Sequence, residues 1–221
     1  FAAKGIGITT IAIPHGCNVF LNSDVTVGYR KLIQRGIIPD QSDTSLFDYY
    51  IFQNPIRRDG WIKWGFNPVK TQAWGSLRFY PEWAKKNREI CPKYKFDQKS
   101  SGKTKIVFMQ FQKEYNLKNE LIFDSLKKIS FLDDVLLAVK DSTREGKEYY
   151  DRNKKHSILG KSLVGWYGNE VHSPALIEWA DIVIVIGGSS IGIEAILQNK
   201  TLIHPIYLDT NTTLFEYFDA A

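Results

Sequence analysis

Residues 187–194 read Gly-Gly-Ser-Ser-Ile-Gly-Ile-Glu, and these are residue types that hold phosphate. Gly187 and Gly188 allow a tight backbone turn. Ser189 and Ser190 sit where a helix N-cap belongs, so hydroxyls, free N–H groups and the positive end of a helix dipole converge on one anion site. Glu194 follows Ser190 by one helical turn on the same face. A plain helix cap would use the same residues. The run lacks the Gly-Lys-Ser/Thr of a Walker loop and the spacing of a GxGxxG fingerprint, which counts against ATPase and dehydrogenase readings.

Other chemistry-bearing residues fall at expected strand ends. His15 lies in a Pro14-His15-Gly16 turn. An imidazole titrating near neutral pH can bind phosphate or act as a base there, or simply hydrogen-bond its own turn. Lys140 closes a strand and is placed to neutralise a phosphate or a sugar carboxylate. Gln110 and Gln112 follow another strand as candidate nucleotide or sugar contacts, with ordinary loop polarity as the alternative. Glu170 and His172 follow a third, and His204-Pro205 ends a later one. Arg78 and Glu82 suit a structural ion pair as well as an acceptor contact, and Asp24, Asp43 and Asp59 are further candidate bases among which the sequence does not choose. No Asp-x-Asp follows a strand, so metal-independent chemistry is expected. Cys17 and Cys91 are too few and too far apart for a disulfide framework or a zinc site, which favours a reducing compartment.

The elements that must position these residues follow from periodicity. Residues 182–186 form an uninterrupted apolar, β-branched run, as expected of a strand covered on both faces of a parallel sheet. Asn199-Lys200 then closes a helix, and 201–206 starts another strand. Upstream, the pattern predicts strands over 105–110, 135–140 and 163–167, with helices over 119–129 and 173–179. The second of these helices has Ser173 as N-cap and Pro174 at its first position. This βαβ alternation implies a parallel sheet with helices on both faces and all βα loops at one edge, where ligands of such sheets bind. The N-terminal stretch reads as a helix end over 1–7, a strand over 8–13, a helix over 24–35 capped by Gly36, a strand over 48–53 and a polar turn over 54–60. Short aromatic pieces follow over 61–66 and 73–79.

Composition sets bounds on partners. The 221 residues are 43% hydrophobic, enough for a real core, and carry a net charge of +5 with a pI near 9.0, which suits an anionic partner. Many of the lysines, including Lys85, Lys86, Lys93, Lys95, Lys99, Lys103 and Lys105, cluster in a segment that also holds Pro92, Ser100, Ser101 and Gly102. It reads as an exposed linker over 83–104 rather than as a nucleic-acid patch. Trp61, Trp64, Trp74 and Trp83 lie close together, as for a carbohydrate- or lipid-facing surface or, more commonly, a packed core or seam. No apolar run is long enough to span a membrane, and no basic-plus-apolar leader is visible.

The strand, Gly-Ser-Ser loop, helix with internal Glu and Lys-Thr-Leu-Ile strand resemble the donor half of a GT-B glycosyltransferase. With the Ile-Pro-His-Gly loop near the start and the Gly-Ser-x-Arg-Phe-x-x-Glu-Trp segment over 75–83, the chain resembles bacterial surface-polysaccharide transferases of capsule and lipopolysaccharide, including Kdo-transferring members. The resemblance implies two Rossmann-like halves: the end of an acceptor-side domain over 1–82, incomplete because the chain opens mid-unit, then the linker, then a donor-nucleotide domain over 105–221. It implies that Gly187, Gly188, Ser189 and Ser190 cradle the phosphates of a UDP- or CMP-linked sugar substrate, that Glu194 contacts ribose or sugar hydroxyls, and that His15 faces the cleft. It further implies no cofactor, a glycan or lipid-linked glycan acceptor, no nucleic acid, and a cytoplasmic site with peripheral contact at the inner membrane. Several members carry His-Pro where this chain has Lys140-Asp141, which departs from the family's phosphate contact. A sugar-nucleotide 2-epimerase of the same fold and a non-catalytic nucleotide- or glycan-binding subunit are the alternatives.

Overall fold

The computed structural model describes residues 2–14, 35–37, 40, 46–96, 102–110, 118–141, 160–186 and 189–208. The chain divides into two compact units, one within residues 1–80 and one within 81–211. The helix expected over 24–35 lies outside the described residues.

In the first unit a short helix α1 (Ala2–Gly5) precedes three parallel strands, β1 (Ile11–Ala12), β2 (Tyr49–Phe52) and β3 (Thr71–Ala73), in the order β1-β2-β3. Between β2 and β3 the expected polar turn is instead a helix, α2 (Pro55–Lys63). Asn54 caps it, its Oδ1 accepting the Arg57 N–H at 2.8 Å, and Pro55 supplies a preset φ in the first turn. Arg57, Arg58, Asp59 and Gly60 gave this stretch its loop-like composition. The burial that holds the helix comes from rings further along: Trp61 packs edge-on to Trp64 and Phe66, and Phe66 meets Tyr50 and Phe52 of β2.

The second unit opens with helix α3 (Pro81–Ile90), inside the stretch whose composition reads as linker. The segment after it is held to the unit: the Lys93 ammonium pairs with Glu178, and Tyr94 and Phe96 stack edge-on against Tyr167. Its lysines project into water while these rings pack, so composition reported only the wet side.

A five-stranded parallel sheet follows: β4 (Thr104–Met109), β5 (Val135–Lys140), β6 (Leu163–Tyr167), β7 (Ile182–Val185) and β8 (Thr201–Ile203), in the order β6-β5-β4-β7-β8. Because strand side chains alternate, the sheet feeds two cores. Val107, Met109, Ala138, Val183 and Val185 pack against α5 (Ser173–Trp179) and α6 (Ser190–Leu197). Ile106, Phe108, Leu137, Val139 and Ile184 pack against Ile122 and Leu126 of α4 (Asn119–Ser130). Helix α5 has His172 rather than Ser173 as its N-cap, with Ser173 already in the first turn.

Candidate functional site

The strand order reverses between β4 and β7. The chain moves outward from β4 through β5 to β6, then returns to β4's other side with β7 and β8. At such a switch point the two βα connections lead away on opposite faces and leave a crevice at the carboxyl ends of the strands. The register pairs Met109 with Val185 across this point and with Lys140 on the other side. The next residue on β4 is therefore Gln110, flanked by the ends of β5 and β7.

Gln110 is 7% exposed, and among the described residues neither its Nε2 nor its Oε1 has a hydrogen-bond partner. Its backbone is ordinary, its N–H donating to the Lys140 carbonyl at 2.9 Å. A buried carboxamide carries two donors and an acceptor, and leaving them unmet costs about 1–3 kcal/mol. Such a group is retained where something polar from outside completes it.

On the β7 side, the Ser189 hydroxyl accepts the Ile191 N–H at 3.3 Å and caps α6. Ser190 and Glu194 lie one turn apart at the start of this helix, both partly buried. Gly187 and Gly188 fall outside the described residues, as does His15. The sequence reasoning passed over Gly192. A β-carbon there would lie 3.4 Å from Leu202 Cδ2 and 3.4 Å from Val185 Cγ2, ordinary contact with no room beyond it, so only a small residue fits where α6 packs on β7 and β8. Its place within the Ser-Ser-Ile-Gly turn, facing the sheet, was the available signal.

On the β5 side, Lys140 is only 6% exposed. Its ammonium donates to the Gly168 carbonyl at 2.7 Å and the Asp141 carbonyl at 3.3 Å, and burial pushes its pKa below the usual lysine value against the opposing pull of Glu170 and Asp141. Lys140 is therefore anchored at the strand ends, not extended into solvent. Glu170 is used locally as well, its Oε1 accepting the Gly168 N–H at 2.7 Å to shape the loop after β6. Asp141, which stands where several GT-B members carry His-Pro, fastens β5 to β6. Its N–H donates to the Tyr167 carbonyl at 2.9 Å and its carboxylate accepts the Trp166 indole N–H. Beside it the Tyr167 hydroxyl is pushed up to about 12, first by burial and then by Tyr94 and Glu170. Among the described residues no cluster of three or more His, Cys, Asp or Glu side chains is arranged to hold a metal, and no helix is long and apolar enough to cross a membrane.

No protein-family model matches the chain, and no curated protein does. Solved structures do. The chain is similar to Anabaena Alr3699/HepE in complex with UDP and glucose, with a TM-score of 0.53 and 13% identity over 92% of this chain and 54% of that one. The same protein in complex with UDP-glucose gives a TM-score of 0.53, 13% identity, and 92% and 55% coverage. KpsC of Thermosulfurimonas dismutans, a β Kdo 2,4 transferase, gives a TM-score of 0.38 and 13% identity over 67% of this chain and 56% of that one. The chain spans about half the length of the HepE structures it matches. The likeness is one of fold: two parallel α/β sheets of the GT-B glycosyltransferase type.

Proposed function

We propose that the chain belongs to an enzyme that transfers a sugar from a nucleotide donor to a glycan or lipid-linked glycan acceptor, with the nucleotide held at the carboxyl edge of the second unit's sheet. The observation that carries this reading is the buried, unpartnered carboxamide of Gln110 at the switch point, next to a serine-capped helix start. HepE, of similar fold, has been seen with UDP and with UDP-glucose, which supports a nucleotide sugar as the ligand.

In this reading Gly187, Gly188, Ser189 and Ser190 receive the phosphates at the start of α6, where N–H groups and the helix dipole favour negative charge. An ammonium has three N–H donors, and the two carbonyls bound by Lys140 leave one for a phosphate oxygen. Gln110 hydrogen-bonds the donor, and Glu194 accepts from ribose or sugar hydroxyls. A base, for which His15 is the candidate, takes the proton of the acceptor hydroxyl. The acceptor oxygen bonds to the anomeric carbon as the bond to the phosphate oxygen breaks, and the nucleotide leaves with the electron pair, stabilised by the N–H donors and Lys140 rather than by a metal. The reaction belongs at the cytoplasmic face of the membrane in surface-polysaccharide synthesis.

A thermal-shift series with UDP, CMP, CDP and GDP tests the binding step, because a ligand that binds only the folded chain raises its melting temperature. At least one nucleotide should do so, and incubation of its sugar conjugate with an acceptor should release the free nucleotide. A protein that none of the four stabilises would sink the proposal.

A further inference from the structure

Where the Lys140 ammonium points is decided by a neighbour to which the transfer reaction gives no part. Lys140 ends β5 level with Tyr167 of β6, and its side chain is buried. Its ammonium donates to the Gly168 carbonyl at 2.7 Å, just past the end of β6, and to the carbonyl of its own neighbour Asp141 at 3.3 Å. The shorter bond reaches into another strand's loop. The setting of Gly168 therefore determines where the third N–H of the ammonium is aimed.

Glu170 fixes that setting. It folds back along the loop so that its Oε1 accepts the Gly168 N–H at 2.7 Å. Gly168 admits the carboxylate because it has no side chain, since a β-carbon there would lie 2.8 Å from Glu170 Oε2, closer than such atoms pack. One residue thus receives both groups, Glu170 on its N–H and Lys140 on its carbonyl. The same loop sets a negative charge near a buried ammonium. Burial favours the neutral amine, and the charges that oppose it are Glu170 first and Asp141 second. Asp141 is committed to the Trp166 indole, so Glu170 is the charge that a substitution can remove without unfastening β5 from β6. The other titratable groups at this end of the sheet, among the described residues, are Tyr167 of β6 with Tyr94 edge-on against it, His172 before α5 and Glu194 of α6, while β4 offers the apolar Met109 as register partner.

We propose that Glu170 is a positioning residue for the transfer: through Gly168 it aims the Lys140 ammonium at the donor phosphate, and as a fixed neighbouring anion it keeps that ammonium charged. That the target is a phosphate rests on the transferase reading; the coupling of Glu170 to Lys140 rests on the loop alone.

Lysine labelled with carbon-13 at Cε tests the coupling in the full chain without any ligand. The Lys140 signal, assigned by its loss in Lys140→Arg, should titrate below the ordinary lysine range, and at a lower pH still in Glu170→Gln. It should move the same way in Gly168→Ala, where the new methyl group displaces the flexible carboxylate; circular dichroism checks that each variant folds. Calorimetric titration with UDP, CMP, CDP and GDP from pH 7 to 10 then reads the positioning. Gln keeps an oxygen for the Gly168 N–H, so at pH 7 Glu170→Gln should bind nucleotide within about twofold of the wild type, with an affinity that falls at a lower pH as pH rises. Glu170→Ala has no such oxygen and should bind about three- to tenfold more weakly already at pH 7. A Lys140 signal that titrates alike with and without the Glu170 charge would overturn the proposal. So would Glu170→Ala binding a nucleotide as tightly as the wild type at pH 7. A Lys140 signal that moves as expected while no nucleotide binds would instead sink the transferase reading and leave Glu170 coupled to Lys140.

Discussion

Gln110 links stability and function at a single side chain. Its carboxamide is buried without partners, so Gln110→Ala removes an unmet polar group and should leave the unliganded protein as stable or more stable, by about 1 kcal/mol, in chemical denaturation. The same change should weaken nucleotide binding about five- to thirtyfold, the worth of about 1–2 kcal/mol of hydrogen bonding. Loss of stability with unchanged affinity would make the residue purely structural. Tyr167 supplies a pH signature. Its hydroxyl keeps its proton up to about 12 in the folded chain against 10.0 for the ordinary group. Between those values the folded state binds more protons than the unfolded state, so stability present below pH 10 should fall as pH rises through this window, by an amount on the order of 2–3 kcal/mol in full. Tyr167→Phe should flatten that fall, as urea titrations from pH 9 to 12 would show. Both residues flank Lys140, whose depressed pKa has the same cause, burial at the strand ends.

At the scale of elements, one helix start and one helix–sheet contact can be tested independently of any ligand. Asn54→Ala removes the cap of α2 and should cost about 1 kcal/mol in thermal or urea unfolding. Gly192→Ala adds a β-carbon at ordinary contact distance and should be neutral or slightly stabilising, whereas Gly192→Val pushes branches into Leu202 and Val185 and should cost about 1–3 kcal/mol. Equal effects of the two substitutions would contradict the tight packing of α6 on β7 and β8. The strands of the second unit were legible in sequence because each is a short, mostly apolar run, and the observed limits differ from the expected ones by a residue at most for β4, β5 and β6. Helix α2 was not legible. Its first turn is Pro-Ile-Arg-Arg, its Gly60 argues against a helix, and what holds it is the contact of Trp61 with Trp64 and Phe66, which no local pattern reveals.

For the whole molecule, the parallel α/β order and the serine-capped start of α6 after β7 were readable from the chain. Which groups are free was not. Lys140 and Glu170 read as ligand residues, yet the fold gives Lys140 two carbonyl partners, one of them on Gly168, 28 residues away and brought near only when β5 and β6 pair, while Glu170 turns back on the Gly168 N–H within its own loop. Gln110 read as one of two strand-end glutamines, and only the packed sheet shows it buried without partners. The four clustered tryptophans, read together as a surface or a packed core, divide: Trp61 and Trp64 are buried, while Trp74 and Trp83 are exposed. The central claim, that a nucleotide sits at the switch point of the second sheet, is tested most directly by calorimetric titration of the chain and its Gln110→Ala variant with UDP, CMP, CDP and GDP in turn. The account predicts saturable one-to-one binding that the substitution weakens at least fivefold. No heat of binding from any of the four, or an affinity identical in the two proteins, would contradict it.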